Sequence, residues 1–154
     1  EKEIAIVGAG DAAFDYGLNL AGRGNDILIL NRSTELKCLP LLWQRTLNEP
    51  RIRYFENTEI TQVSGAESGL LLQCRDIEGE VSFKVDFLLG AIGRVPRLGI
   101  IAPRVQEHAQ TLESQGLLYF IGDVKNGIYR QTSIAIGDGV RAAMQICQHK
   151  ESAT

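Results

Sequence analysis

Three small residues near the start of the chain have the spacing of a dinucleotide-binding turn. Gly8, Gly10 and Ala13 form the pattern G-x-G-x-x-A between an apolar run and a helical pattern. Gly8 permits a sharp turn out of a strand, Gly10 lets backbone approach a pyrophosphate, and Ala13 allows a helix to pack closely on the strands. The unpaired N–H groups and the positive dipole end of that helix then face the phosphates. These residues predict that the chain binds a dinucleotide.

The elements around the turn are those that such a site needs. Ile4 to Val7 forms a short apolar run, residues 11–21 have apolar side chains at helical spacing, and Ile27 to Leu30 forms a second apolar run. Strand, turn, helix and strand within about 30 residues make the glycine pattern more specific than it is alone. This context favours a dinucleotide site over the alternative, a glycine turn that serves packing only.

The residues after the second apolar run indicate which dinucleotide to expect. An acidic residue about 20 positions after the glycines would bind a ribose 2′-hydroxyl, as in NAD-binding proteins. Here the run is followed by Asn31, Arg32 and Ser33, with no acid. The forked, permanently charged guanidinium of Arg32 suits a 2′-phosphate, and Ser33 could add a hydroxyl donor. The sequence therefore favours NADP(H) over NAD(H), the alternative being that Arg32 is a solvated surface arginine.

Composition and charge argue against several classes of function. The 154 residues are 44% hydrophobic and 23% charged, as in ordinary globular proteins. The net charge of −3 gives no basic field for nucleic acid or an anionic membrane, and no apolar run is long enough to span a bilayer. Three widely spaced cysteines and two histidines predict reduced thiols in a cytoplasmic protein, without a histidine-based metal site. A core strand directly after Glu1 is an unusual natural start, which predicts either processing or, as the favoured alternative, a piece cut from a longer protein.

The remaining patterns predict an α/β fold in two parts. In the first part they indicate a helix over 40–47, with Trp43 and Leu47 packed at the sheet edge, and a parallel strand over 51–55. An antiparallel meander follows over 57–63, 70–77 and 81–85, and then a buried parallel strand over 86–91. In the second part they indicate an irregular connection over 98–113, a buried strand over 116–121 and a helix over 131–149. The result is a Rossmann-like three-layer domain with a central parallel sheet and an antiparallel β-meander over 1–95. A C-terminal strand-helix segment follows over 96–154.

The last predicted helix carries an unusual G-D-G sequence. Gly137 and Gly139 lower its helix propensity, so we expect a close packing or ligand reason for them. Asp138 and Arg141 are expected to form a solvated or interface pair on its surface.

Three stretches of the chain resemble, in the same order, signatures of the thioredoxin-reductase-like flavoproteins, which are pyridine nucleotide-disulfide oxidoreductases. They are EIAIVGAGDAAFDYGLNLA at the start, GAIGRVPR after the meander and GLLYFIGDVKNGIYRQTSIAIGDGVRAA near the end. In that family an NADPH-binding domain is inserted into an FAD-binding domain. The resemblance implies that residues 1–95 are the NAD(P)H-binding domain and residues 96–154 the returning segment of the FAD-binding domain, without its amino-terminal half.

The resemblance also implies two sets of cofactor-binding residues. The NADPH set is Gly8, Gly10, Asp11, Ala12 and Ala13 around the pyrophosphate, Asn31, Arg32 and Ser33 around the 2′-phosphate, and Ile92 and Gly93 over the nicotinamide. The FAD set is Gly122 and Asp123 at the ribitol, and Arg130, Gln131 and Thr132 near the flavin pyrimidine edge. Of the His-Arg-Arg run frequent in the family, only the first arginine is kept, as Arg32. The C-x-x-C of true thioredoxin reductases would lie before Glu1.

The activity that the resemblance implies is the transfer of hydride from NADPH to FAD and on to a disulfide or another acceptor. The cofactors carry that chemistry, so no side chain is expected to be catalytic, and this chain alone is not expected to be competent. The expected partners are the two cofactors, a small redox protein as acceptor, and a second copy of the chain in a homodimer. Two alternatives remain open: a freestanding NADP(H)-binding module without turnover, and a minimal FAD-binding domain in which Gly8 and Gly10 contact FAD.

Overall fold

The structure, a computed structural model, describes the backbone of residues 1–152 and the side chains of residues 1–149. The chain divides into two compact units, Glu1–Gly93 and Arg94–Thr154. None of the described helices combines the length and the apolarity that crossing a bilayer requires.

A four-stranded parallel sheet forms the centre of the first unit. Its strands are β1 (Glu3–Val7), β2 (Asp26–Leu30), β3 (Ile52–Phe55) and β7 (Phe87–Gly90), in the order β3-β2-β1-β7. The helices α1 (Asp11–Ala21) and α2 (Pro40–Leu47) connect the first three strands. All four strands run the same way, so their carboxyl ends meet at one edge of the sheet.

An antiparallel meander forms a second sheet in the same unit. It consists of β4 (Glu59–Gly65), β5 (Leu70–Arg75) and β6 (Glu80–Val85), with β5 in the middle. Both sheets were predicted, as was every strand in them, with ends that differ by at most a few residues.

Alternation along β2 explains why the unit has three layers. Successive side chains of a strand point to opposite faces of its sheet. Ile27 and Ile29 therefore face α1, where they pack with Phe14. Leu28 and Leu30 face the meander, where they pack with residues such as Leu72 and Val85. The parallel sheet lies between helices and meander, which confirms the predicted Rossmann-like α/β fold.

Two predictions at the edges of this core are wrong. The apolar run over 86–91 was expected to be buried, but β7 lies at the edge of its sheet and the Phe87 side chain is 55% exposed. Leu47 was expected to pack at the sheet edge, and it is 65% exposed at the end of α2. Trp43 does pack, since its ring meets Phe14 and Tyr54 edge-on.

The second unit is mainly helical. It contains α3 (Pro103–Glu107), α4 (Ala109–Ser114) and α5 (Thr132–Ser152), with single 3₁₀ turns at Leu98–Ile100 and Gly122–Val124. The predicted irregular connection over 98–113 is wrong, because Pro103 occupies the first turn of α3, where proline is favoured rather than disruptive. The predicted strand over 116–121 is also wrong: within residues 1–152 this run pairs with no strand, and a strand needs a hydrogen-bonding neighbour.

Candidate nucleotide site at the carboxyl edge of the parallel sheet

Gly8 is glycine for reasons internal to the protein. Its φ of 132° is a conformation that side chains disfavour, and a Cβ atom there would lie 2.3 Å from the carbonyl oxygen of Ala91. Its N–H donates to the Leu30 carbonyl (3.0 Å), while the Ala91 N–H donates to Val7 (2.8 Å). The turn after β1 is therefore held against the ends of both neighbouring strands.

Gly10 has no such internal reason. It precedes α1 with a φ of −94°, which any residue adopts. A Cβ atom added at Gly10 would have the Lys37 carbonyl oxygen as its nearest neighbour, at an ordinary contact distance of 3.9 Å. Glycine at this place is thus unexplained by packing within the described residues, and close approach of a ligand to the backbone would explain it.

The first turn of α1 has the features of an anion site. No side chain of the described residues caps its N-terminus, and Ala12 is exposed there. Ala13 is fully buried in the core cluster between α1 and the sheet. The Asp11 carboxylate accepts the Leu39 N–H at 2.7 Å, so it is engaged with the following loop. This end of α1 fits a pyrophosphate, which helix N-termini bind through N–H groups and the helix dipole.

The segment after β2 lies against the glycine turn. The Lys37 N–H donates to the Ala9 carbonyl at 2.8 Å, and Lys37 forms a parallel bridge with Gly10. The Lys37 ammonium pairs with Glu35 at 3.1 Å, with both side chains largely exposed. Sequence reasoning did not single out Lys37, because a lone lysine in a polar stretch carries no pattern.

The three residues predicted to surround a 2′-phosphate have different environments. Arg32 is exposed, and its side chain makes no hydrogen bond or ion pair with the described part of the chain. Ser33 is half-buried, and its hydroxyl lies 3.4 Å from the Asn31 carbonyl oxygen Oδ1. Asn31 is only 5% exposed, with its amide occupied by protein partners. Arg32 is therefore the side chain of the three that is open to solvent and unpaired.

The turn after β7 completes this edge of the sheet. Ile92 is 80% exposed. Gly93 has a φ of 79°, and a Cβ atom added there would have open space around it. Since β7 pairs with β1, residues 91–93 leave the sheet beside the glycine turn. The structure thus brings together the predicted residues of the NADPH set at one edge, as expected for a crevice at the ends of parallel strands.

In the second unit, hydrogen bonds fix the turn that contains Gly122 and Asp123. Gly122 is buried with a φ of 67°, and its N–H donates to the Asp138 carboxylate at 3.0 Å. The Asn126 amide donates to the same carboxylate at 2.5 Å and to the Gly122 carbonyl at 2.9 Å. These hydrogen bonds hold the pKa of Asp138 below its ordinary value, and the bond from the Asn126 amide contributes more than the bond from the Gly122 N–H. Asp138 was expected to form a solvated or interface pair with Arg141; within the described residues its carboxylate instead binds Gly122 and Asn126, and it anchors this turn.

The remaining residues of the predicted FAD set lie at the start of α5 and beside Arg94. The Asp123 carboxylate pairs with the Arg94 guanidinium at 3.0 Å. Arg130 donates a hydrogen bond to the Arg94 carbonyl, and its buried Nε atom has no partner within the described residues. Gln131 and Thr132 are exposed. The carboxylate predicted to contact ribitol is thus paired with an exposed arginine of its own unit.

Two of the three cysteines, Cys38 and Cys74, show no sign of activation. All three are free thiols, with Cys74 buried, Cys38 half-buried and Cys147 exposed. Burial is the main cause that raises the pKa of Cys38 and of Cys74 above the ordinary thiol value. A reactive thiol needs a lowered pKa.

This architecture defines the class of the first unit: a Rossmann-like α/β fold with an appended meander. No family model matches the chain. Among curated proteins, it is 26% identical over 168 residues to thioredoxin reductase of Neurospora crassa, an alignment that covers 98% of this chain and 50% of the relative. It is 27% identical over 157 residues to NADH dehydrogenase of Bacillus subtilis, covering 93% of this chain and 30% of that protein.

Solved structures show the same fold. Thioredoxin reductase of Lactococcus lactis superimposes with a TM-score of 0.74 at 21% identity, covering 96% of this chain and 52% of that one. The enzyme of T. acidophilum gives a TM-score of 0.73 at 16% identity, with 99% and 53% covered. The chain therefore spans about half the length of the thioredoxin reductases it matches. It is related to thioredoxin reductases and NADH dehydrogenases, which confirms the resemblance inferred from its three motifs.

Proposed function

We propose that this chain is the NADPH-binding part, with a segment of the FAD-binding part, of a thioredoxin-reductase-like flavoprotein. The division into residues 1–95 for NAD(P)H and 96–154 for FAD belongs to this proposal. When bound, the nicotinamide and flavin supply the hydride chemistry, which would pass reducing equivalents to a disulfide or another acceptor. The residues of this chain bind and orient the cofactors. The proposal extends to a small redox protein as acceptor, to a homodimer and to a cytoplasmic location.

The observation that carries the proposal is Gly10. At Gly8 a Cβ atom would clash with a neighbouring carbonyl, whereas at Gly10 the protein leaves ordinary contact distance for a Cβ atom. A glycine without a structural reason, at the uncapped start of a helix and at the carboxyl edge of a parallel sheet, is accounted for by a pyrophosphate lying against its backbone.

Gly10→Ala tests this site directly. We expect the free energy of unfolding to fall by about 0.5–1 kcal/mol, since Gly10 is the N-cap of α1, where alanine is less favourable than glycine, and the position is otherwise uncrowded. We expect NADPH affinity, measured by isothermal titration calorimetry, to fall at least tenfold, because the added methyl group occupies the path of the pyrophosphate. Gly65→Ala in β4 is the matched control, with open space for a Cβ and no expected effect on binding. Unchanged binding in Gly10→Ala would refute the pyrophosphate site.

Arg32→Ala tests the preference for NADPH. A hydrogen-bonded charge pair with the 2′-phosphate contributes about 1.5–3 kcal/mol, so NADPH binding should weaken about tenfold or more while NADH binding hardly changes. Equal weakening of both nucleotides would contradict the 2′-phosphate assignment. This test is needed because the relatives of this chain include proteins named NADH dehydrogenase, so the preference for NADPH does not follow from the similarity.

The visible absorption spectrum of the purified chain separates this proposal from the alternative of a minimal FAD-binding domain. We propose that Gly122, Asp123, Arg130, Gln131 and Thr132 contact FAD, and that Ile92 and Gly93 lie over the nicotinamide. A colourless chain that binds NADPH agrees with this assignment. A yellow chain whose flavin is lost in Gly10→Ala would instead make the glycine turn the FAD site of a minimal flavin domain.

A further inference from the structure

The Asn31 amide is a hydrogen-bond hub directly after β2. Its Nδ2 group donates to the Glu35 carbonyl (3.1 Å) and to the Tyr54 hydroxyl (2.9 Å). Its Oδ1 atom accepts from the Ser33 N–H (3.2 Å) and lies 3.4 Å from the Ser33 hydroxyl. With 5% of its surface exposed, Asn31 faces the protein. It therefore occupies the strand-end position of a ribose-binding acid without offering its own side chain to a ligand.

Only an amide satisfies this set of partners. The hub needs two N–H donors and one oxygen acceptor in a single short, planar group. An aspartate would provide no donor and would place a carboxylate beside the Glu35 carbonyl. The main chain of the same residue continues the sheet, since its N–H donates to Phe55 and its carbonyl accepts from Thr58, both at 2.8 Å. The identity of residue 31 thus determines the path of the chain from 31 to 35.

Tyr54, one partner of the Asn31 amide, packs in the core of the unit. The Tyr54 ring lies 5.0 Å from the Trp43 ring and 6.0 Å from the Phe14 ring, measured between centroids. Phe14 is fully buried in α1, the helix that begins at the glycine turn. The hydroxyl that accepts the Asn31 amide proton is therefore attached to the packed core.

The loop that carries Arg32 is anchored at both ends. Asn31 holds the 31–35 end, and the backbone bond from Lys37 to Ala9 holds the other end against the glycine turn. Between these anchors the Arg32 guanidinium is exposed and makes no contact with the described residues that would hold it elsewhere. A loop anchored at both ends reduces the entropy that a charged side chain loses on binding a phosphate.

We propose that Asn31 is a positioning residue for 2′-phosphate selectivity: it shapes the 31–35 loop so that Arg32 meets the 2′-phosphate of NADPH, and it does not contact the nucleotide. This inference rests on the proposed function and replaces a binding role for the Asn31 side chain with an indirect one. The residue then acts only through Arg32, which separates it from a residue that merely stabilises the fold.

A double-mutant cycle tests the inference. The dissociation constants of NADPH and NADH are measured for the wild type, Asn31→Ala, Arg32→Ala and the double variant. Asn31→Ala should weaken NADPH binding about fivefold to tenfold and NADH binding less than twofold, since one charge-assisted contact is misplaced. In the Arg32→Ala background, Asn31→Ala should have no further effect on NADPH. Coupling of this kind is expected only when one residue works through the other.

Asn25→Ala is the matched control. Asn25 directly precedes β2, at the opposite end of the strand from Asn31, and likewise uses both ends of its amide: it donates to Leu20 and accepts from Lys2. It should leave the NADPH to NADH ratio unchanged. If Asn31→Ala does not fold, Tyr54→Phe removes one partner of the hub and should shift the ratio in the same direction by a smaller factor.

The outcomes separate the two proposals. If the wild type binds no NADPH, or binds it no more tightly than NADH, the proposed NADPH function is refuted by that titration alone. If the wild type prefers NADPH but Asn31→Ala weakens both nucleotides equally, or its effect adds fully to that of Arg32→Ala, the positioning role is refuted and the proposed function stands.

Discussion

Different interactions stabilise each of the two compact units of this chain. Apart from Ala142, every buried apolar side chain in the described residues belongs to Glu1–Gly93. Both units expose some large apolar side chains, and those of the second unit lie along and before α5, among them Ile128, Ile136, Val140 and Met144. Its turn at Gly122 is fixed by polar bonds to Asp138 and Asn126.

This contrast means that the two sets of predicted cofactor residues are held in place by different kinds of interaction. The glycine turn and the Asn31 loop rest on a packed three-layer core, so burial holds them in place. The Gly122 turn depends on a carboxylate near the surface, whose hydrogen bonds compete with water. Four predictions probe this difference, beginning with the largest expected effect.

Removing the Phe14 ring should have the greatest effect on stability. Phe14 is fully buried and contacts both Trp43 and Tyr54, so Phe14→Ala should cost about 3–5 kcal/mol in the free energy of unfolding. Val140→Ala on the exposed surface of α5 should change it by less than about 0.5 kcal/mol. Urea unfolding, followed by far-ultraviolet circular dichroism, which reports on both units, measures both. Similar losses in the two variants would abolish the contrast between the units.

Gly8→Ala should have the next largest effect. The added Cβ would clash with the Ala91 carbonyl, and the positive φ adds backbone strain, for a combined cost of roughly 2–4 kcal/mol. Gly24→Ala separates these causes, because Gly24 also has a positive φ but has open space around a Cβ. It should cost only about 1 kcal/mol. Equal costs would mean that the contact with Ala91 contributes nothing.

The Gly122 turn of the second unit should be sensitive to acid. The pKa of Asp138 is lowered in the folded chain, so its stabilising contribution is present above the ordinary aspartate pKa. That contribution disappears as the pH falls through the lowered value. The protection factor of the Gly122 amide, which is its exchange rate relative to the intrinsic rate at the same pH, should then fall, and Asp138→Asn should lower it already at pH 7. A protection factor that is the same in both proteins at pH 7 and does not fall in acid would contradict the anchoring role.

The smallest expected effect is a gain. Gly137 lies within α5, where the described residues leave open space around a Cβ, so the close packing expected from the sequence is not found. Gly137→Ala should therefore stabilise α5 of this chain by about 0.5–1 kcal/mol. Slower hydrogen exchange along the helix would show this. Faster exchange would reveal a contact that requires glycine, and a ligand reason for Gly137 stays a prediction.

Local patterns were sufficient for the first unit because each of its elements repeats a short-range signal. The alternation along β2, the helical spacing of α1 and the turn residues of the meander all depend on neighbours within a few positions. In the second unit the same method failed for 116–121, since an apolar run does not say whether a partner strand exists. It also missed α3, because Pro103 was interpreted as a loop residue instead of the first residue of a helix.

By itself, the sequence determined the α/β fold of the first unit, the glycine turn and the absence of an acid after β2. Only the tertiary structure decided that the Asn31 side chain faces inward, that Gly8 is required by Ala91 while Gly10 is not, and that Asp138 holds the Gly122 turn. These are contacts between residues far apart in the chain or on different elements, and periodicity contains no information about them. The physical reason is that a hydrogen bond or a steric contact depends on which atoms the folded chain brings within about 3–4 Å.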